Sequence, residues 1–331
     1  MKEFITQMPK VELHLHIEGS LEPELMFKLA QRNKVDLPYS TVEEVKTAYK
    51  FGNLQDFLDI YYAGCNVLIH EQDFYEMTLA YFQKAKEQNI LHAEIFFDPQ
   101  SHTDRGIALE TVVNGIRRAM KEAEAWGISS GLILSFLRHL SEEAAIEVLM
   151  AAEPMKDEFI AVGLDSSEVG NPPQKFETVY NIAAKQGYLK VAHAGEEGPA
   201  QYIWDSLSLL KIDRLDHGNR SMDDEDLLLE LKNRNMGLTL CPLSNLKLQV
   251  VKDLRNHPVK KMLDLGLKVT INSDDPAYFG GYMNENFIAT TEALNLSKED
   301  LKKLTQNAVD VSFADTGRKV ELLKLIDSYF N

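Results

Sequence analysis

The sequence predicts a single (β/α)8 barrel of the TIM type, an α/β fold that spans residues 1–331 as one domain. Two observations predict it. Eight short apolar segments with strand character occur along the chain, and a helical segment separates each strand from the next, as parallel pairing requires. An open doubly wound sheet is the alternative, but that fold needs a glycine-rich phosphate loop after the first strand, where Gly19 stands alone.

The first predicted strand covers residues 10–18, in which apolar and polar side chains alternate. The polar positions share one side of the strand and are occupied by Glu12, His14, His16 and Glu18. Two imidazoles on one side of a strand can present two nitrogens to one metal ion. A surface strand with two solvated histidines is the alternative for this motif taken alone.

A small helical insertion is predicted directly after this strand. Ser20 is expected to cap a helix that continues to residue 30, Thr41 begins a capping box, and residues 54–62 form an aromatic helix. Residues 36–70 contain no convincing strand, so these helices are expected to cover a site at the end of the first strand.

The remaining elements alternate regularly to the end of the barrel. The predicted strands cover residues 90–98, 131–139, 159–165, 189–196, 214–218, 236–242 and 267–276. The predicted helices cover residues 71–88, 107–126, 141–157, 174–187, 199–210, 223–235 and 256–265, and further helices extend to the C-terminus.

Composition restricts the class of protein. The net charge of −16 disfavours a nucleic-acid partner, because an acidic surface repels phosphate backbones. Cys65 and Cys241 form no C-x-x-C motif, which fits a reducing cytoplasm. The N-terminus lacks the apolar run of a signal peptide, and no stretch of about 18 apolar residues predicts a membrane span.

Ionisable residues gather at the predicted carboxyl ends of four strands, where barrels of this type carry their chemistry. These residues are His14, His16, Glu18, His193, Glu196, His217, Asp274 and Asp275. A set of three histidines and one aspartate suits Zn²⁺, with Fe and Mn as alternatives. Each residue alone has a structural explanation, such as a core histidine or a helix cap. All of these explanations would have to hold together at the right strand ends, which favours one shared site.

Four motifs in order resemble those of the adenosine/adenine deaminase family, over about residues 8–320. The motifs are His14-Leu-His16-Ile-Glu18-Gly, His193-Ala-Gly-Glu196, Asp216-His217-Gly and Asn272-Ser-Asp274-Asp275-Pro. The resemblance implies one Zn²⁺ per chain, held by His14, His16, His193 and Asp274. It also implies that Glu196 is the proton donor, that His217 orients the attacking hydroxide and that Asp275 binds the purine ring.

Residue chemistry agrees with these implied roles. A metal-activated water can attack C6 of an aminopurine if N1 receives a proton, and Glu196 lies three residues beyond His193, at the lip of the same strand. The cytidine-deaminase type of site pairs H-x-E with P-C-x-x-C, and this sequence has no P-C-x-x-C motif. The end of the fourth strand has no lysine to bridge two metals.

Two departures from the nucleoside-deaminase pattern resemble the adenine deaminase branch. Glu18 stands where nucleoside deaminases usually have an aspartate that reaches the ribose, and the loop at residues 163–170 differs from theirs. We therefore expect a hydrolase of purine salvage that converts adenine to hypoxanthine, with Glu18, Ser167 and Gly170 contacting the substrate. Adenosine or an N6-substituted adenine is the alternative substrate. A metal-stabilised purine-binding scaffold is the non-catalytic alternative.

Overall fold

The computed structural model describes residues 1–331 and contains eight parallel strands in one sheet, each paired with the next along the chain. This order and the intervening helices confirm the predicted barrel. The strands are β1 (Lys10–His16), β2 (Ile90–Phe97), β3 (Ser129–Leu137), β4 (Ala161–Asp165), β5 (Leu189–Ala194), β6 (Arg214–His217), β7 (Gly237–Leu240) and β8 (Lys268–Ile271).

The barrel closes between β1 and the segment that follows β8. The backbone N–H of His16 donates to the carbonyl of Asp274 at 3.0 Å, and the N–H of Asp274 donates to the carbonyl of His14 at 3.0 Å. The amide oxygen of Asn272 accepts from the N–H of Leu13 at 2.8 Å. These contacts bring the first and last sequence motifs side by side.

Helices surround the barrel, and extra helices follow β1 and β8 as predicted. They are α1 (Lys2–Gln7), α2 (Pro23–Asn33), α3 (Val42–Ala48), α4 (Leu54–Cys65), α5 (Glu71–Glu87), α6 (Pro99–Thr103), α7 (Leu109–Glu124), α8 (Glu142–Ala152), α9 (Glu177–Lys185), α10 (Ala200–Asp205), α11 (Glu225–Asn233), α12 (Pro242–Lys247), α13 (Val259–Asp264), α14 (Pro276–Phe279), α15 (Met283–Leu294), α16 (Lys298–Val311) and α17 (Thr316–Phe330). No helix is long and apolar enough to cross a membrane.

The predicted cap of the first insertion helix is wrong. Helix α2 begins at Pro23 without a side-chain cap, and the hydroxyl of Ser20 instead donates to the carbonyl of Ile17 at 2.7 Å. Ser20 belongs to a short 3₁₀ turn over Glu18–Ser20 that redirects the chain out of β1. The proline sets the helical φ at the first turn and lacks the N–H that a cap would satisfy.

Strand β1 is buried on both of its faces, which excludes the surface strand considered above. Its apolar side chains pack in the core, and its two histidines meet His193 of β5 inside the barrel, whereas Glu12 accepts the hydroxyl of Tyr81 of α5. The interior is therefore partly polar, with Arg214 of β6 paired to Glu94 of β2 in full burial. Phe96 of β2 lies beneath the two histidines of β1, with ring centroids 4.9 Å and 5.0 Å away.

The insertion after β1 forms an apolar cluster of its own at the carboxyl end of the barrel. Helices α3 and α4 pack on α14, and Phe57 contacts Phe279 with ring centroids 4.6 Å apart. We call helices α3 and α4 with Phe51 the lid. The lid is confirmed as the predicted cover, and its aromatic contacts explain why so short a pair of helices is ordered there.

Candidate active site

Four side chains converge at the carboxyl end of the barrel: His14 and His16 of β1, His193 of β5 and Asp274 after β8. Their potential ligand atoms all lie within 4.8 Å of one another, and all four residues are buried. Oδ1 of Asp274 lies 3.2 Å from Nε2 of His14 and 3.5 Å from Nε2 of His16. Nε2 of His16 lies 3.1 Å from Nε2 of His193.

These distances fit a divalent metal. Four donors at the bond lengths usual for zinc stand about 3.3 Å apart in a tetrahedron. Burial lowers the pKa of His16 to about 3 and the pKa of His193 well below its ordinary value, so both rings are neutral and can donate a lone pair. Nε2 of His14 is buried and has no hydrogen-bond partner, so its lone pair is available to a metal ion.

Polar groups behind the three histidines hold the rings in this orientation. Nδ1 of His14 lies 2.8 Å from the hydroxyl of Thr239, which itself donates to Asp216 at 3.0 Å. Nδ1 of His193 lies 3.6 Å from Asp216, and Nδ1 of His16 lies 3.5 Å from Asp165. Such partners leave the Nε2 atoms free for a metal, as is usual for histidine ligands.

An acid and a base stand next to this cluster. Nε2 of His217 lies 3.6 Å from the carboxyl group of Glu196 and 3.9 Å from Asp274. Burial, reinforced by the charge of Asp274, raises the pKa of Glu196 well above that of an ordinary glutamate. Burial lowers the pKa of His217 to about 3. The pair therefore combines a carboxyl group that tends to keep its proton with a neutral imidazole that can accept one.

The loop that carries Glu196 is fastened by one buried carboxylate, Glu168. Its oxygens accept four backbone N–H groups, from Gly195 at 2.6 Å, Glu196 at 3.1 Å, Glu197 at 2.9 Å and Gly198 at 2.8 Å. Gly198 permits this approach, because a Cβ there would come within 2.6 Å of the Glu168 carboxylate. The position of Glu196 therefore depends on a residue from the loop after β4.

We expect Glu168→Gln to lower both stability and turnover. The amide of glutamine has one acceptor oxygen, whereas the native carboxylate has two. Some of the buried N–H groups therefore lose their partner, at a cost of about 1–3 kcal/mol each. Urea unfolding and steady-state kinetics measure the two effects. The exposed Glu110→Gln is the matched control, and native values for both variants would contradict the inferred role of Glu168.

Asp275 follows the metal cluster directly and faces the cavity, with its Oδ1 atom buried and without a partner. Gly19 lies against it so closely that a Cβ on Gly19 would come within 2.0 Å of Oδ1. Burial and the charge of Asp274 raise the pKa of Asp275 well above its ordinary value. Asp275 therefore tends to keep a proton, and its carboxyl group can donate a hydrogen bond to an acceptor atom of a ligand.

Three residues at the carboxyl ends of strands hold a left-handed backbone conformation although none is glycine. Their φ angles are +74° at Ser166, +62° at His217 and +66° at Asp274. Such angles are uncommon for residues with a Cβ and tend to occur at functional sites. All three residues line one cavity.

The cavity lies between the metal cluster and the lid, with about 380 Å³ of empty space that includes the solvent at its mouth. The predicted residues on its wall are His16, His193, Glu196, His217, Asp274 and Asp275. His14 lies deeper, beneath the cavity. Apolar lid residues Leu54, Phe57 and Leu58 close the opposite side, together with Phe279.

Three predicted substrate contacts do not reach the cavity. Glu18 is fully buried behind the wall, where its carboxylate lies 2.8 Å from Nε2 of His102 and accepts from the N–H of Asp98 at 3.2 Å. Ser167 donates to Gln55 at 2.8 Å on the outside of the lid. Gly170 is exposed, and its φ of +85° serves the turn of the loop.

Sequence reasoning missed Tyr62, Asp165 and Ser166, which line the cavity together with Asp98, at a strand end, and Tyr61, in the predicted aromatic helix. Asp98 and Asp165 stand at the ends of β2 and β4, so their position at strand ends was an available signal. Tyr61 and Tyr62 lie on α4, and no pattern in the sequence identifies which face of that helix turns inward.

Comparisons with known proteins agree with this arrangement. The family model for adenosine deaminase matches residues 9–329. The chain is 58% identical over 330 residues to an adenine deaminase of Hahella chejuensis, with 99% of each chain covered. The solved structure of an adenine deaminase from Arthrobacter aurescens superposes with a TM-score of 0.96 at 49% identity, covering 97% of this chain and 99% of that one. An amidohydrolase from Burkholderia ambifaria, solved with bound Zn, has a TM-score of 0.90 at 26% identity, covering 99% and 94%.

Proposed function

The chain belongs to the adenosine deaminase family, and from that premise we propose that it hydrolyses adenine to hypoxanthine and ammonia as a single domain. The substrate is a small purine. The observation that carries the proposal is the buried pair of Glu196 and His217 beside a three-histidine, one-aspartate cluster, on the wall of a cavity beneath the lid. A relative with 58% identity over nearly the whole chain carries the name adenine deaminase, which supports the free base as substrate.

A metal, which we propose to be zinc, would be held by His14, His16, His193 and Asp274. Nitrogen and carboxylate donors in this ratio suit zinc, and the structural neighbour with bound Zn supports that choice. When bound, such an ion makes water acidic by lowering its pKa towards about 7. The remaining chemistry belongs to side chains of this protein.

Glu196 and His217 divide the proton transfers between them. As water oxygen bonds to C6, His217 accepts a proton of the water and Glu196 donates its proton to N1, which takes up the negative charge. His217 then returns its proton to the amino nitrogen, and the C6–N bond breaks to release ammonia. Glu196 regains a proton from the new C6 hydroxyl, so that hypoxanthine leaves with its carbonyl formed and both residues return to their starting states.

Asp275 and the lid orient the ring for this sequence. Asp275 can form a hydrogen bond with N7, which lies on the side of C6 opposite to N1. Gly19 leaves room for the carboxyl group of Asp275. Apolar lid residues exclude bulk water from the cavity, which strengthens the electrostatic contacts inside it. We also propose that the enzyme acts in the cytoplasm, where its two free, buried cysteines would stay reduced.

The test is a comparison of substrates on the purified protein. Adenine, adenosine and N6-isopentenyladenine are incubated side by side, and product formation is followed by absorbance and by release of ammonia. We expect kcat/KM for adenine to exceed the other values by at least about a hundredfold, since a displaced C6 typically loses that much rate. Equal efficiency on adenosine would refute the assignment to the free base, and inactivity on all three would refute the function.

A further inference from the structure

We propose that Asp98 recognises the N9–H group of free adenine and thereby makes the enzyme selective for the base over its nucleosides. The inference rests on the proposed function and assigns the specificity to a residue that the sequence motifs do not contain. Asp98 takes the substrate contact first assigned to Glu18, whose carboxylate lies behind the cavity wall.

The chemistry at C6 fixes which edge of the ring faces Asp98. Attack needs C6 at the metal cluster and N1 at Glu196, so the opposite edge of adenine, which carries N3 and N9–H, points away from both. The cluster and Glu196 come from the ends of β1, β5 and β8. Asp98 follows β2 and lines the cavity beneath Tyr61 of the lid, with a carboxyl oxygen within 4.8 Å of a ring nitrogen of His16.

Asp98 is held in place and still has an oxygen to offer. Its Oδ2 accepts the hydroxyl of Tyr61 at 3.1 Å, and its backbone N–H donates to Glu18 at 3.2 Å. The residue is 3% exposed, yet its Oδ1 has no hydrogen-bond donor. A buried carboxylate oxygen without a donor is costly, and a ligand N–H would remove that cost.

Two further polar residues, Ser166 and Asp165, line this wall. Ser166 contacts Tyr62 at 2.9 Å and His139 at 2.8 Å through its hydroxyl. Asp165 lies 3.5 Å from Nδ1 of His16 and supports that ring. Both oxygens of Asp165 also lack a hydrogen-bond donor, but Asp98 is the one that the lid holds in place, through the hydroxyl of Tyr61. Asp98 is therefore the acceptor that we assign to N9–H.

This contact separates a base from a nucleoside by chemistry as well as by size. Substitution at N9 removes the only proton that Asp98 could accept there, so the buried carboxylate stays without its donor when a nucleoside enters. Sites built around such a hydrogen bond reject analogues that lack it by large factors. Glu18 contributes by supporting the backbone of Asp98.

The experiment compares adenine with 9-methyladenine, which lacks the N9 proton and adds a single methyl group. Steady-state kinetics are measured for the native enzyme and for Asp98→Ala, Asp98→Asn and the exposed control Asp104→Ala. Metal content and thermal melting are measured for each protein. We expect the native enzyme to prefer adenine by about a hundredfold or more. In Asp98→Ala this preference should disappear because turnover of adenine falls. Asp98→Asn keeps one acceptor oxygen and should retain a larger share of the native preference.

Each outcome decides the inference separately from the function. Native turnover of both bases with equal efficiency would overturn the role of Asp98 and leave adenine deamination standing, even if the variants do not fold. If Asp98→Ala lost the preference only because it gained activity on 9-methyladenine, Asp98 would act by steric exclusion alone. That result would also overturn the inference. Absence of adenine turnover in the metal-loaded native enzyme would refute the proposed function itself.

Discussion

Replacing Glu196 by glutamine is expected to abolish nearly all turnover of adenine while the metal stays bound. Glutamine has the same shape and can keep the contact with Asn245, which lies 3.4 Å from Oε1 of Glu196. It cannot deliver an acidic proton to N1, and loss of a positioned acid costs about 10²–10⁴ in rate. Burial raises the pKa of the Glu196 carboxyl group, which keeps available the acidic proton that glutamine lacks.

Single-turnover kinetics and metal analysis of the same preparation measure the two halves of this prediction. Glu197→Gln is the matched control, because it makes the same chemical change one residue away at a position that does not line the cavity. Native turnover in Glu196→Gln would exclude this residue as the acid. A parallel loss of metal would assign it a structural role instead.

Loss of the metal is expected to remove activity completely and to lower thermal stability. The protein should contain one divalent ion per chain, and Asp274→Ala should lose ion and activity together, because Asp274 lies within reach of two histidines. An ion that binds only the folded state stabilises it, so chelation should lower the melting temperature. Addition of Zn²⁺ should restore both properties.

Elemental analysis, melting curves and rates before and after chelation measure these effects. The exposed Asp36→Ala serves as the control for removal of one acidic side chain. A native protein without metal that is fully active, or one with two ions per chain, would contradict the prediction.

Much of the fold was predictable because barrel strands carry a strong local signal. Runs of apolar residues such as 90–97 and 131–137 are bounded by turns, and the intervening helices show their own period. The four motifs at strand ends were predictable for a related reason. In a parallel barrel all strands finish at one rim, so residues far apart in sequence meet without any knowledge of packing.

What escaped prediction depends on the direction of individual side chains. Glu18 follows β1 in a 3₁₀ turn, which rotates its carboxylate behind the wall towards His102 instead of into the cavity. The contacts between Glu168 and residues 195–198 join two loops whose conformations no periodic pattern specifies. Short helix α12 also went unpredicted, and it supplies Asn245 to Glu196.

The left-handed backbone at Ser166, His217 and Asp274 has an evolutionary consequence. Each residue with a Cβ gives up about 1–2 kcal/mol in this conformation relative to glycine, which adopts it freely. Glycine would remove this cost at all three positions, but at His217 it would also remove the imidazole, and at Asp274 it would remove a metal ligand together with the stability that the metal supplies. At this rim of the barrel, side chains that the site uses are present in spite of their backbone cost. Laboratory evolution that screens melting temperature without activity should substitute Ser166 by glycine early and should keep Asp274.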